Sequence, residues 1–348
     1  MASRWFGRTA ARAAGVSVAV LGLAVGGLAL AQTSALTFVA WGGSTQEAQY
    51  NAYAPSFTEK TGMAVQQDGP TNYGKIKAMV EANQVTWDVV DVEGEWAQLA
   101  AKQGLLEELD YNVIDTKGID PKYYFSHGIA SFAFAFVLGY NTNAVGGKVP
   151  AGWADFFDLE KFPGKRGVMS WSTSGLMEIA LLADGVEPDK LYPLDIPRAL
   201  KKFSTIKDQI VFWDSGAQSQ QLLASGETAM CLCWDARVNF LKKDGAPVDM
   251  QWSQNVTAAD FLVVPKGTKN KEAAMKFIAG AVGAEGMAKM AETVLTNPPN
   301  LDAKPLIKPE IWEMLPAAHT EGQVAVDIGY WAEHSAEIGE AWNKWKVE

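Results

Sequence analysis

Short apolar segments alternate with amphipathic segments between residues 36 and 103, and this alternation constrains the fold more than any other feature of the sequence. Short apolar runs predict strands, and an apolar periodicity near 3.6 residues predicts helices. Strands and helices in alternation are typical of a sheet covered by helices, so we predict an α/β fold. The predicted strands are 36–41, 64–67 and 87–92, and the predicted helices are 45–60, 74–82 and 95–103.

A glycine pair, Gly42-Gly43, separates the first predicted strand from the first predicted helix. Ser44 is predicted to cap this helix, and Glu47 three residues later completes a capping-box pattern. Backbone amides at a helix start can bind ligand oxygens, which makes Gly43 a candidate ligand contact. A tight turn explains the two glycines equally well.

The first 31 residues have the pattern of a signal peptide. Arg4, Arg8 and Arg12 precede an apolar run at 16–30, and the small residues of Ala-Leu-Ala at 29–31 form a cleavage site. The run is shorter than the roughly 20 apolar residues that a membrane-spanning helix needs. We therefore predict that residues 1–31 are removed and that the mature protein is exported to the periplasm.

The mature chain is predicted to be acidic and large enough for two domains. Without residues 1–31 it has 27 Lys and Arg against 40 Asp and Glu, a formal charge of −13. Nucleic acid is excluded as a partner, because phosphate backbones need clustered Lys and Arg. About 317 residues bury a large core, and chains of this size generally divide that core between domains.

The cysteines and histidines do not form a reactive site in the sequence. Cys231 and Cys233 are interpreted as buried apolar residues rather than a redox pair, since the ring that such a bridge closes is usually strained. His127, His319 and His334 are scattered singly, so we predict no metal site and no cofactor. No hydrolase motif is present, so we predict that the protein is not an enzyme, although catalysis by carboxylates alone stays open.

Several short motifs occur in a fixed order along the chain. They are YN at 140–141, GWADFFD at 152–158, FPGKRGV at 162–168, DFLVVPKG at 260–267, NKEAA at 270–274 and NPPN at 297–300. Each motif is loose by itself. In this order and spacing they resemble the bacterial extracellular solute-binding proteins of ABC importers, and most of all the spermidine/putrescine-binding branch.

The resemblance implies a two-lobed periplasmic binding protein fold of type II. Each lobe would be a mixed sheet flanked by helices, and the lobes would close on a ligand about two crossing strands. The implied divisions are lobe one at 36–140 plus 266–307, lobe two at 141–265, and C-terminal helices at 308–348 that pack across both lobes. The resemblance also implies a membrane permease as partner, and receptors of this kind usually act as monomers.

The resemblance also selects residues for an amine-binding site. Trp41 stands where the branch uses an aromatic residue against the ligand, although core packing explains it equally well. Asp260 matches the ammonium-binding aspartate of the branch, and Trp234 matches an aromatic residue that lines the cleft. Glu93 is a candidate second contact to the amine, although a position at a helix start explains it equally well.

Three positions depart from the polyamine-binding pattern. Arg237 would place a guanidinium beside a ligand that is entirely cationic, which costs binding energy. Trp171 and Ser172 lie in a segment where polyamine binders place acidic residues. If Arg237 faces the cleft, the ligand has an anionic end. A surface salt bridge of Arg237 with Asp235 or Glu227 is the alternative.

One aspartate and one arginine suit a zwitterion, with Asp260 on the amine and Arg237 on the carboxylate. This pattern resembles that of relatives that bind 4-aminobutyrate. The first hypothesis is therefore an ω-amino acid such as 4-aminobutyrate, and the second is putrescine or spermidine. A ferric-ion receptor that uses Tyr123 and Tyr124 is a further alternative.

Overall fold

The computed structural model describes residues 35–348, so the predicted signal peptide lies outside the described residues. The described chain is a mixed α/β fold, as predicted, and its ten strands form one sheet. The strands are β1 Leu36–Val39, β2 Val65–Asp68, β3 Val89–Glu93, β4 Tyr124–Phe125, β5 Gly128–Asn141, β6 Arg166–Met169, β7 Ile210–Trp213, β8 Met230–Trp234, β9 Val248–Val263 and β10 Val324–Ala325.

Helices cover both ends and both faces of this sheet. Within residues 35–348, no helix is long and apolar enough to cross a bilayer. The helices are α1 Gly43–Thr61, α2 Tyr73–Glu81, α3 Gly94–Lys102, α4 Trp153–Phe156, α5 Leu176–Ala183, α6 Ile196–Ser204, α7 Gly216–Ala224, α8 Asp235–Lys243, α9 Lys271–Ala281, α10 Ala284–Val294, α11 Pro309–Trp312 and α12 Ile328–Val347.

The long antiparallel strands β5 and β9 join the two halves of the molecule. The strand order is β2-β1-β3-β9-β5-β8-β6-β7, with β10 paired to β9 and β4 to β5. The strands β1, β2 and β3 are parallel to one another, and so are β6, β7 and β8. Each half of the sheet is therefore a small parallel sheet attached to one side of the central β5–β9 pair.

The register of the central strands brings the carboxyl ends of both parallel sets together. Glu93, the last residue of β3, is paired with Asp260 of β9. Trp234, the last residue of β8, is paired with Phe136 of β5. Because Asp260 is in turn paired with Phe132 of β5, the two strand ends lie four residues apart along β5. Ligands of open α/β sheets bind at the carboxyl ends of parallel strands, so this register predicts the position of the site.

Buried apolar side chains form separate cores in the two halves. Phe38, Tyr53 and Phe277 belong to a cluster between the sheet and the helices α1, α9 and α10. A second cluster, with Trp87 and Phe261, contains residues of α2 and α3. The other half has a single large cluster, which includes Trp153, Phe203 and Trp213 and also takes Trp331 and Trp342 from α12. Separate cores on the two sides of the β5–β9 pair agree with the predicted two-lobed fold.

The predicted cap of α1 is wrong. The N-cap is Gly42, Ser44 lies inside the helix, and no side chain caps the N-terminus. Gln46 instead reaches back, and its Oε1 accepts a hydrogen bond of 2.9 Å from the Gly42 amide. Gly42 and Gly43 have φ values of 85° and 64°, a region that favours glycine, so the turn and the helix start share these two residues.

The cysteines are buried, as predicted, but they are not separate thiols. Cys231 and Cys233 form a disulfide within β8. Two residues apart in a strand, they point to the same face, and their Cα atoms are 5.5 Å apart, within the range that a disulfide spans. This bond precedes the end of β8 at Trp234.

Candidate ligand-binding site

A cavity of about 560 Å³ lies where the carboxyl ends of the two strand sets meet. Six of the eight predicted site residues line it together. They are Trp41, Glu93, Trp171, Trp234, Arg237 and Asp260. The sequence separates Trp41 from Asp260 by 219 positions, so the tertiary fold alone brings them together.

The other two predicted residues, Gly43 and Ser172, do not line the cavity, although their chain neighbours do. Gly43 is exposed beyond the turn, and the lining residues there are Gly42, Ser44 and Thr45. Ser172 faces α12, because a Cβ atom built on Gly339 would lie 3.2 Å from its Oγ. The sequence pattern did not resolve which residues of these two turns face the cavity.

Trp41 and Asp260 form one end of the cavity. The Trp41 indole Nε1 donates a hydrogen bond of 3.0 Å to Asp260 Oδ2. Trp41 is 39% exposed, whereas Asp260 is 7% exposed. The Trp41 ring is partly exposed at the cavity wall, and its indole N–H is held by the Asp260 carboxylate. An aromatic face in this position can contact a ligand cation.

Asp260 lies in a concentration of negative charge. Burial raises the pKa of its carboxyl well above the usual range, and the charges of Asp91, Glu93 and Glu95 raise it further, against the opposing effect of the Trp41 indole. Burial, and then the charge of Glu95, likewise raise the pKa of Glu93 to about 7. Among residues 35–348, no cation is close to these four carboxyl groups, so they destabilise each other and a ligand cation would relieve their repulsion.

Glu93 is fixed by the residues of α2 and α3. Tyr73 Oη donates a hydrogen bond of 3.0 Å to Glu93 Oε2. The Tyr73 ring stacks on Trp96, with ring centroids 4.2 Å apart, and meets Trp41 edge-on at 5.8 Å. The helix-start reading of Glu93 is also correct, because Glu93 is the N-cap residue of α3. Its side chain nevertheless bonds to Tyr73 and not to the helix backbone.

Arg237 provides positive charge on the α8 side of the same cavity. The surface salt bridge considered for it does not form, because Arg237 has no carboxylate partner within 4.0 Å in residues 35–348. Its guanidinium donates a hydrogen bond of 3.4 Å to Gln220 Oε1. Burial lowers the pKa of its guanidinium. A half-buried guanidinium without a carboxylate partner is a binding group for a ligand anion.

Helix starts accompany Arg237 at this end. The α7 N-terminus begins at Ser215-Gly216, and the α8 N-terminus begins at Trp234. Asp214, Ser215 and Gly216 line the cavity. Unpaired amides of a helix start favour negative charge, so they act in the same sense as Arg237. Asp235 opposes this effect only in part, because burial raises its pKa to about 7.

Aromatic rings form the wall between the two charged ends. Trp171 and Trp234 approach each other with centroids 6.2 Å apart, and Trp234 meets Phe134 edge-on at 6.4 Å. Phe132 and Phe136 of β5 also line the cavity. An apolar wall between opposite charges suits a short hydrocarbon chain with a charged group at each end.

Sequence reasoning missed the β5 phenylalanines and the Asp214–Gly216 segment. The signal for the first was present, since Phe132, Phe134 and Phe136 recur with a period of two, which places them on one face of a strand. Nothing local indicated that this face lines a cavity. Across residues 35–348, no three His, Cys, Asp or Glu side chains are grouped as a metal site requires. Tyr123 and Tyr124 line a different cavity.

Comparisons with known proteins agree with this geometry. The family model of the bacterial extracellular solute-binding proteins matches residues 52–320. A gamma-aminobutyric acid-binding protein of Pseudomonas aeruginosa is 33% identical over 94% of this chain and 95% of its own length. The spermidine/putrescine-binding periplasmic protein of Escherichia coli is 24% identical over 78% of this chain and 82% of its own length.

A solved structure of a GABA receptor is 53% identical, with a TM-score of 0.87, over 90% of this chain and 98% of that one. Its likeness confirms the predicted fold of periplasmic binding proteins, in which the cavity lies between two lobes. The matched region, the fold and the position of the cavity all lead to one conclusion: the chain belongs to the bacterial extracellular solute-binding proteins.

Proposed function

We propose that this chain is the periplasmic substrate-binding protein of an ABC importer and that it binds an ω-amino acid, with 4-aminobutyrate as the first candidate. The observation that supports this most is that acidic and basic side chains line the same cavity. Asp260 and Glu93 are the acidic groups, and Arg237 is the basic group. The relatives named for gamma-aminobutyric acid, at 33% and 53% identity, support the same ligand.

The ammonium group of the ligand binds Asp260 in this proposal. Asp260 is buried and surrounded by further carboxyl groups, so it gains more from a cation than an exposed aspartate would. The face of Trp41 covers the ammonium, while its indole nitrogen holds the Asp260 carboxylate in place. Glu93 provides the second negative group, fixed by Tyr73.

The carboxylate of the ligand binds Arg237 and the start of α7. The guanidinium can donate two parallel hydrogen bonds to a carboxylate, and a ligand carboxylate would meet no competing carboxylate within 4.0 Å of it among residues 35–348. The carbon chain of the ligand lies along Phe134, Trp171 and Trp234. This arrangement favours a ligand with both charged ends over one that lacks either.

Putrescine or spermidine is the second candidate, because one observation favours a polycation. Asp260 and Glu93 line one end of the cavity, and Asp91 and Glu95 are close enough to raise the pKa of Asp260, so negative charge is concentrated at that end. The spermidine/putrescine-binding relative of Escherichia coli agrees with this alternative. Arg237 opposes it, since like charges at short range weaken binding.

We further propose that ligand binding shifts the protein from an open to a closed form about β5 and β9. The lobes would be 36–140 plus 266–307 and 141–265, and the helices at 308–348 would lie across both. Two contacts of α12 support the last point: Glu333 forms an ion pair of 2.6 Å with Lys102 of α3, and Trp345 Nε1 donates to Ser204 of α6. The closed form, a monomer exported after cleavage of 1–31, would deliver the ligand to a membrane permease and catalyse no reaction.

The identity of the ligand can be tested by isothermal titration calorimetry. 4-Aminobutyrate, putrescine and spermidine are each titrated into wild type and Arg237→Ala. We expect wild type to prefer 4-aminobutyrate, and we expect Arg237→Ala to lose roughly 10- to 100-fold of that affinity, the effect of one charged hydrogen-bonding group. Putrescine affinity should stay equal or rise. The control is Arg198→Ala, which removes a surface ion pair with Asp184. Tighter binding of putrescine by wild type would favour the second candidate.

A further inference from the structure

Three buried polar side chains lie outside the cavity, and one of them, Asp91, is close to Asp260. Gln49 and Asp91 are fully buried and Tyr53 is 2% exposed. None of the three lines the cavity. Gln49 and Tyr53 belong to α1, and Asp91 lies on β3 two residues before Glu93. We refer to Gln49, Tyr53 and Asp91 as the polar compartment.

Four polar atoms of this compartment have no hydrogen-bond partner among residues 35–348. They are Nε2 and Oε1 of Gln49, Oη of Tyr53 and Oδ2 of Asp91. Each buried polar atom left unsatisfied costs about 1–3 kcal/mol, and native folds rarely keep such atoms without a partner. Four of them in one place indicate a bound group that satisfies them together.

The members of the compartment are close to one another. Gln49 and Tyr53 are four residues apart in α1, so their side chains lie on the same face of the helix. Burial, and then the charge of Asp91, raise the pKa of Tyr53. Burial also raises the pKa of Asp91 to about 7, and the nearby Ser131 hydroxyl and Gln49 amide oppose that rise. Gln49 is thus near Asp91, but without a direct hydrogen bond of its own.

Ser131 connects the compartment to Asp260. Ser131 Oγ lies 2.8 Å from Asp91 Oδ1 and 3.3 Å from the carbonyl oxygen of Asp260. The register between β5 and β9 shifts between Ala130 and Phe132, so Ser131 is the extra residue of a β-bulge. The bulge places this hydroxyl between Asp91 Oδ1 and the main-chain carbonyl of Asp260, so Ser131 links the Asp91 side chain to the Asp260 backbone.

We propose that Gln49, Tyr53 and Asp91 bind a water molecule between them and that Asp91 is a positioning residue for Asp260. The inference that Asp91 acts on ligand binding rests on the proposed ammonium-binding role of Asp260. A buried water typically makes two to four hydrogen bonds to polar groups such as these. It can accept from Gln49 Nε2 and the Tyr53 hydroxyl and donate to Asp91 Oδ2, which satisfies three of the four atoms.

Asp91 also sets the charge of the ammonium-binding end. The titratable groups around the Asp91–Asp260 pair are Tyr53 from α1, Tyr73 from α2, Glu93 from β3 and Glu95 from α3. No cation stabilises either aspartate within the described chain. Two close carboxyl groups then hold a shared proton near neutral pH. When an ammonium group pairs with Asp260, the O–H bond of that proton breaks and the proton passes to the buffer.

The water site is tested in the ligand-free protein with Tyr53→Phe. If the Tyr53 hydroxyl is bonded to water, the variant should melt about 1–2 °C lower, the effect of roughly 1 kcal/mol in a chain of this size. An unsatisfied hydroxyl gives an unchanged or higher melting temperature, which would overturn the water site. Tyr50→Phe calibrates the measurement, because Tyr50 on the same helix donates a known hydrogen bond of 3.3 Å to the Val65 carbonyl.

The role in ligand binding is tested with Asp91→Asn, which keeps the side-chain shape and the contact with Ser131 but removes the charge. Titration of 4-aminobutyrate at pH 7 in two buffers of different ionisation enthalpy gives the number of protons released. We expect Asp91→Asn to release at most about half as many as wild type, because one of two coupled carboxyl groups is gone. Equal release would overturn the role of Asp91.

Failure of the proposed function and failure of the water site give different results. Wild type that binds no ω-amino acid and no polyamine contradicts the proposed function, whatever the variants do. The melting temperature of ligand-free Tyr53→Phe still decides whether the compartment holds water.

Discussion

Trp41 donates a hydrogen bond of 3.0 Å to the carboxylate of Asp260, a residue 219 positions further along the chain. One residue follows the end of β1 and the other lies on β9, so the bond exists only because β3 joins these two strands in the sheet. It fixes a buried carboxylate against a partly exposed aromatic ring. This pair forms the end of the cavity that we assign to the ligand amine.

Asp260→Asn should have opposite effects on binding and on stability. Removing the charge that meets the ligand ammonium should weaken binding by about 30-fold or more, as loss of one partner of a buried charge pair costs roughly 2–5 kcal/mol. The ligand-free protein should melt at a higher temperature, because the repulsion by Asp91, Glu93 and Glu95 disappears. Calorimetric titration and thermal unfolding measure the two effects. Unchanged affinity would remove Asp260 from the site.

Gly216→Ala should weaken ligand binding without removing any charge. A Cβ atom on Gly216 would lie 2.6 Å from Arg237 Nε, so the guanidinium has to move. We expect a loss of roughly 10-fold in 4-aminobutyrate affinity, since a displaced guanidinium forms poorer hydrogen bonds.

Gly280→Ala is the matched control for this substitution. Gly280 lies inside α9, and a Cβ atom there meets nothing within 4 Å. The control should bind ligand as wild type does and should gain about 0.5–1 kcal/mol of stability, the usual difference between Ala and Gly in a helix. Equal affinity of both variants would mean that Arg237 does not contact the ligand.

Trp41→Phe isolates the indole hydrogen bond from the aromatic ring. The Trp41 indole opposes the rise in the pKa of Asp260, so its loss should make Asp260 harder to ionise. Ligand affinity at neutral pH should fall by about 3- to 10-fold and should recover in part at higher pH, where Asp260 ionises again. Trp345→Phe removes an indole bond to Ser204 on the other side of the molecule and should leave the affinity unchanged.

The stability of the ligand-free protein should fall as the pH rises from about 4.5 to about 7. The pKa of Glu93 is raised from 4.5 to about 7 in the folded state. The folded protein therefore binds more protons than the unfolded chain in this window, so this contribution to stability is present at low pH and lost as the pH rises through 7. Asp68 and Asp184 have lowered pKa values, so their opposite contribution changes below pH 4.

Melting temperatures at several pH values measure this effect, and Glu93→Gln is the comparison. Its melting temperature should depend less on pH than that of wild type across the same window. Curves of equal slope would show that Glu93 does not titrate there.

Much of the local structure could be predicted because local forces decide it. The apolar runs at 36–41 and 87–92 contain the observed β1 and β3, apart from shifts of one to two residues at their ends. The candidates Trp41, Arg237 and Asp260 came from the family resemblance, since Trp41 and Asp260 match the pattern of the branch and Arg237 departs from it. The wrong cap at Ser44 has a local cause too: Gly42 and Gly43 adopt positive φ, and Gln46 satisfies the freed amide.

Asp91 and the phenylalanines of β5 could not be assigned in the same way. A buried aspartate in an apolar strand and a Phe-x-Phe-x-Phe run have several local explanations. Their roles depend on which strand pairs with which, and Ser131 makes the point most clearly. Its hydroxyl contacts Asp91 only because a bulge shifts the register of β5 against β9.

The sequence by itself determined the alternation of strands and helices, the family resemblance and the residue types for an amine and a carboxylate. The tertiary structure alone decided that Trp41 and Asp260 touch, that Arg237 remains without a carboxylate partner in the described chain, and that Gly43 and Ser172 turn away from the cavity. The physical reason is the separation along the chain over which each interaction acts. Hydrogen bonding and periodicity act within a few residues, whereas pairing of β3, β9, β5 and β8 joins residues far apart in the chain and sets which side chains share a cavity.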